Sequence, residues 1–199
     1  VADMAQPESQ VNDIEQSIRE EVREWSKVVL ESSRLDMDGL SICPYAKAAW
    51  DANKVLMTFK RTESYCPVYD SIDGYNDDFD INIIIDLDYE ESAEEFHGRV
   101  ESLNYAIAEG AFGDTDLWLM GFHPDDIEED EPEECIEFEQ TNDCSYGMMY
   151  LQRLNTLQKA VYKLKNTKYY SFVFQDEKPP HVFSLREKFY KQLIGEVHA

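Results

Sequence analysis

Basic residues are scarce in this chain. Eighteen lysines and arginines face forty-two aspartates and glutamates, a formal net charge of −24 over 199 residues. The deficit argues against recognition of nucleic acid through its phosphates, which needs basic side chains to release counterions, and against docking on an anionic membrane. Long apolar runs are missing too. Val28-Val29-Leu30 and Ile83-Ile84-Ile85 are short stretches, far below the ~20 residues of a membrane span. Val1 to Met4 shows no basic segment leading into an apolar one, so no export signal is expected there. Cys43, Cys66, Cys135 and Cys144 are widely spaced and make no CxxC, which favours reduced thiols and a cytoplasmic location. Gly-x-Gly-x-x-Gly, P-loop, Gly-x-Ser-x-Gly, His-Glu-x-x-His and kinase signatures are absent. That removes the commonest cofactor and hydrolase classes, and the sequence names no cofactor.

What is present is enough apolar material for one core. Hydrophobic residues make up 43% of the chain and aromatics 13%, well above the composition of a disordered segment. A chain of this length supports one well-buried domain more readily than two. The acidity has three readings: a solvated surface, a surface for a basic partner protein or a mimic of DNA's charge, or carboxylates that hold a divalent metal.

Hydrophobic spacing predicts a first helix over 9–33, where Val11, Ile14, Ile18, Val22, Trp25 and Val29 recur at three- and four-residue steps. Cys43 to Trp50 reads as a short helix, with Pro44 in its first turn, where a missing N–H is tolerated. Strands are expected at 54–60 (KVLMTFK) and 80–87 (DINIIIDL). The second has a β-branched centre suited to the middle of a sheet. Between them, 62–78 is rich in Tyr, Asp, Ser and Gly and reads as a long loop. A helix over 92–111 carries Phe96, Val100, Leu103, Ile107 and Ala111 on one stripe, and Asp116 to Phe122 is a further strand. Beyond an acidic loop at 125–134 come a strand at 135–139, a helix over 145–165 and a strand at 169–174. Lys178-Pro179-Pro180 breaks the chain before a closing helix over 184–195, capped by Ser184. The expected fold is one α+β domain over 1–199, with a mixed or antiparallel sheet of about four to five strands. Its 54–174 core is ferredoxin-like (split βαβ), with helices on one face and the N-terminal helix and its strand added.

Four features carry chemistry. If Pro44 opens a helix, Cys43 takes the N-cap, where unpaired N–H groups and the helix dipole favour thiolate, with Lys47 adding positive charge. The plainer reading is a small apolar residue packed under the helix start. His123 stands where a strand ends and is followed by Pro124-Asp125-Asp126. An imidazole beside carboxylates suits a general base oriented by an acid or a mixed N/O metal site; the plainer reading is a strand-end histidine bonded to a backbone carbonyl. His123-x-Asp125 with distant His181 also matches the facial triad of non-haem iron oxygenases, but that jelly roll needs many more strands. The acidic loop lacks the Asp-x-Asp/Asn-x-Asp/Asn-Gly core of an EF-hand and reads as solvated. Arg153 falls on the helix opened by Asn142-Asp143-Cys144-Ser145. It either anchors an anionic ligand bidentately or pairs with one of the many carboxylates.

Three segments together resemble a family of small bacterial proteins grouped as domain of unknown function 1415. They are Cys43-Pro44-Tyr45-Ala46, Phe122-His123-Pro124-Asp125, and Thr141-Asn142 with Tyr146 and Arg153. The family carries Cys-Pro-Phe-Ala after a first helix, a strand ending in Phe-His-Pro, and a Thr-Asn-Arg-Ser-Pro-Tyr-Pro segment opening a helix that contains Leu-Arg. Order and rough spacing agree from Ile18 to Leu164. Asp143 stands where the family has arginine, Gly147 where it has proline, and Tyr150 where it tends to have histidine. The resemblance implies that Cys43, His123, Asn142, Tyr146 and Arg153 converge. It supports a small-molecule-binding protein or enzyme, with Cys43, His123 and Arg153 as the catalytic set and Asp125, Asn142 and Tyr146 contacting the ligand. The alternative is a non-enzymatic acidic protein that binds a basic partner or mimics DNA's charge.

Overall fold

Residues 81–86 read Ile-Asn-Ile-Ile-Ile-Asp, an apolar run suited to a strand covered on both faces. They form β2 (Ile81–Asp86), an inner strand of a four-stranded sheet. A computed structural model describes residues 8–33, 35, 39–41, 43, 45–60, 66–88, 90–113, 115–126, 145–164, 167 and 181–195. The other strands are β1 (Val55–Lys60), β3 (Leu117–Phe122) and β4 (Gly147–Arg153), in the order β1-β2-β4-β3. β1 runs parallel to β2, with Val55 opposite Ile81 and Lys60 opposite Asp86. β4 is antiparallel to both β2 and β3, so β1, β2 and β3 all end at the same edge.

The helices are α1 (Glu8–Trp25), continued by a π turn at Ser26–Leu30, α2 (Ala46–Asp51), α3 (Cys66–Asp73), α4 (Ala93–Ala108), α5 (Leu154–Leu164) and α6 (His181–Leu193). α4 starts where a capping box dictates: Ser92 Oγ accepts from the Glu95 N–H, and the Glu95 carboxylate accepts from the Ser92 N–H. On one face of the sheet Ile18, Val22, Val29 and Leu30 pack against Met57, Ile83, Ile85, Met148 and Tyr150. On the other, Val68 and Ile72 of α3 and Phe96, Val100, Leu103 and Ile107 of α4 cover Ile84, Leu119, Met149 and Leu151. Trp118, Leu154, Leu185, Phe189 and Tyr190 form a third cluster beside β3.

The α+β class and the mixed sheet match the sequence reading; the finer topology differs. β2–α4–β3 is a split βαβ unit with β4 in the gap. The place beside β2 is taken by β1, which runs parallel and is joined through α3. Helices cover both faces instead of one, because Ile83–Ile85 of β2 and Met148–Leu151 of β4 are buried at successive positions and so on both faces. The helix expected over 145–165 starts only at Leu154. Residues 147–151 are buried one after another as a strand, and a continuous apolar run carries no period that separates strand from helix. The loop expected at 62–78 contains α3. The short second helix begins at Ala46, with Tyr45 in the N-cap position in place of Cys43. Ser184 lies within α6, not at its cap. The strands expected at 135–139 and 169–174 and the break at 178–180 lie outside the described residues. Among the described residues no helix is long and apolar enough to cross a membrane.

Gly121 shows how closely α4 sits on β3. A Cβ there would stand 2.8 Å from Phe96 Cε1 and 3.2 Å from both His97 Nδ1 and Val100 Cγ2. Phe96 is wholly buried and cannot swing aside. Gly121→Ala is therefore expected to cost about 1–3 kcal/mol, as overpacked sites do, read as a lower urea midpoint at unchanged slope.

Candidate functional site

The residues singled out by sequence occupy three separate places. Cys43 is half-buried against the cluster on the α1 face, where Tyr146 also packs. Burial pushes the Cys43 thiol up, outweighing the N–H groups of Tyr45 and Ala46 that favour thiolate, and the charge of Glu31 adds to the rise. Lys47 is paired with Asp51 at 2.5 Å. The Tyr146 hydroxyl donates to Glu21 Oε2 at 2.6 Å.

His123 is on the opposite face, 2% exposed, its ring 5.4 Å from that of Phe96. Its Nδ1 accepts from the Asp125 N–H at 3.1 Å, which leaves Nε2 to donate to the Glu91 carbonyl at 3.1 Å. Both ring nitrogens are thus held by backbone. The Asp125 carboxylate is largely in solvent, 4.0 Å from Nδ1. Arg153 ends β4 and is not on a helix; it lies opposite Leu117, whereas Phe122 lies opposite Met148. At ~3.3 Å per residue, a strand's length of roughly 20 Å separates Arg153 from His123. Cys43, His123 and Arg153 therefore do not line one cleft. Asn142 lies outside the described residues. Among the described residues, no group of three or more His, Cys, Asp and Glu is placed to hold a metal ion.

The edge where β1, β2 and β3 end gathers charges that the sequence reading passed over. Lys60 Nζ donates to Asp86 Oδ2 at 2.8 Å, with both side chains buried. Arg99 binds Glu91 Oε2 through Nε (2.9 Å) and Nη2 (2.6 Å) and stands 3.9 Å from Asp86 Oδ2. The Asp88 N–H donates to Asp86 Oδ1 at 3.1 Å. Nearby, His97 Nε2 bonds Asp126 Oδ1 at 2.6 Å, and Asp126 Oδ2 accepts the His123 N–H at 2.8 Å. Burial works against the Asp126 charge, but His97 and the His123 N–H outweigh it and hold the carboxyl below the usual range. Two cations and two carboxylates pair with one another here, which suits locking the strand ends better than receiving a ligand. The signal was there to be read: two adjacent strands closing in residues of opposite charge, Lys60 and Asp86.

An opening lies farther along the same face. A cleft of about 370 Å³ runs between α3, strands β1 and β2, and the turn at 74–79, at the small end of the range for small-molecule sites. Asn82, 5% exposed, lies on its floor. Its Oδ1 accepts from the Thr58 hydroxyl at 3.1 Å, and its Nδ2 finds no acceptor among the described residues. The walls include Asp70, Ser71, Tyr75 and Phe79, and the lining has one carboxylate and no basic residue.

The rim is ordered from beneath. The Tyr75 hydroxyl donates to the Phe79 and Asp80 carbonyls, each at 3.1 Å, and burial pushes its pKa up to about 12. Arg153 bonds Asp77 and lays its guanidinium 4.6 Å from the centre of the Tyr75 ring. Lys54 donates to the Asp78 carbonyl at 2.7 Å. Arg153 thus serves this cleft indirectly, as a brace for its rim. No family model, curated protein or solved structure matches the chain.

Proposed function

We propose that this chain is a small-molecule-binding protein whose site is the cleft beneath α3. The observation that carries the reading is Asn82, 5% exposed on the floor of the cleft, whose amide N–H groups bond no described residue. Water in the open cleft meets those N–H groups, and a ligand that accepts from them takes its place.

Asn82→Val should change stability by no more than about 1 kcal/mol, since it loses only the Thr58 hydrogen bond and valine suits a strand. It should also abolish binding of any compound that shifts the Asn82 side-chain NH₂ signals in a fragment screen by ¹H–¹⁵N NMR. A variant that binds such compounds as tightly as the parent would remove the cleft from consideration.

A second reading rests on the net charge of −24: a non-enzymatic protein that engages a basic partner. Its binding would weaken steeply with salt and would be untouched by Asn82→Val. Kinship with domain of unknown function 1415 and a cytoplasmic setting belong to the same proposal. Neither adds an activity to it.

A further inference from the structure

We infer that the ligand is an uncharged, polyhydroxylated ring of monosaccharide size; this rests on the cleft beneath α3 being the binding site. The argument is one of donors, acceptors and charge. At the floor Asn82 offers two N–H donors, while beside it the Thr58 oxygen keeps acceptor capacity after donating to Asn82 Oδ1. On the α3 wall Ser71 presents a hydroxyl, and Asp70 a carboxylate that makes no ion pair among the described residues. A ligand must therefore accept at the floor and donate at the wall. Sugar hydroxyls do both at once. Tyr75 and Phe79 add apolar wall against which the C–H face of a ring can lie.

Other chemistries fit less well. An anion meets Asp70, no basic residue in the lining and a chain of net charge −24. An ammonium ion has donors only and offers the Asn82 N–H groups no acceptor, and a single exposed carboxylate such as Asp70 attracts a cation weakly in water. A flat hydrocarbon would seal Asn82 away from water with nothing to accept from it.

The experiment is a ¹H–¹⁵N titration of the full chain, following the Asn82 side-chain NH₂ pair. The probes are glucose, galactose, mannose and N-acetylglucosamine, with inorganic phosphate and ethylammonium as the charged controls. At least one sugar should shift the pair saturably and the charged controls should not. Asp70→Ala, a change at an exposed position that leaves the core intact, should weaken the sugar about tenfold or more, the loss of one charge-assisted hydrogen bond. If the sugars are silent but ethylammonium or a fragment moves the Asn82 signals, the ligand class is wrong and the cleft stands. If nothing moves them, both readings fall.

Discussion

Lys60→Met will destabilise the fold by about 3 kcal/mol or more, the cost of leaving one half of a buried ion pair alone. Lys60 and Asp86 meet at 2.8 Å, with side chains only 8% and 4% exposed. Without the ammonium, Asp86 retains a buried charge whose other neighbours are the Asp88 N–H and, at 3.9 Å, Arg99. Arg99 softens the loss, which sets the expectation at the lower end of the usual range of about 3–5 kcal/mol. Replacing both partners by apolar residues, Lys60→Met with Asp86→Leu, should recover most of it, since a well-packed apolar pair avoids the desolvation that ions suffer. Urea unfolding of the parent, both single variants and the double variant gives the coupling directly. Independent, additive losses would show that the pair is not the electrostatic unit described above.

The second large effect lies at the opposite side of the sheet. β3 is an outer strand, and such strands carry backbone groups with no neighbouring strand to bond. At Leu119 the problem is solved by a side chain: Asn104 Nδ2 donates to the Leu119 carbonyl at 2.9 Å, and the Leu119 N–H donates to Asn104 Oδ1 at 2.8 Å. Asn104 is 4% exposed and Leu119 1%, so water is a poor substitute. Asn104→Ala should cost about 2–6 kcal/mol, two buried backbone groups at about 1–3 kcal/mol each. Asn104→Leu keeps the volume and loses the same two hydrogen bonds, so it should be nearly as unstable. Parent-like stability in the leucine variant would mean that volume, not hydrogen bonding, is what Asn104 supplies.

Much of the architecture was legible because it is periodic or chemically punctuated. Ile18, Val22 and Val29 announced the first helix, Phe96, Val100, Leu103 and Ile107 the fourth, and the β-branched run of β2 its inner position. β4 was illegible because Met148, Met149, Tyr150 and Leu151 are all buried. A strand covered on both faces has no alternation to detect. α3 was hidden by its Tyr, Asp and Ser content, which matches turn composition; it is held as a helix by Val68 and Ile72, both buried in the core.

The candidate site was harder to read for a related reason. Cys43, His123 and Arg153 stood out as chemically distinctive residues near element ends, but chemical type says nothing about which face or edge a residue occupies. Strand parity put His123 against α4 and left Cys43 across the sheet, and the antiparallel course of β4 carried Arg153 to the far end. Asn82, by contrast, looked like one polar interruption in an apolar strand. Only the register of β1 on β2 and the placement of α3 show that it is buried beside Thr58 at the floor of a cleft. Composition and periodicity by themselves determined the class, the acidity and most of the helices, because those follow from local patterns of burial and charge. Which polar groups find partners, and which line a cleft, was decided by tertiary structure alone, because hydrogen-bond partners come from segments far apart in the chain.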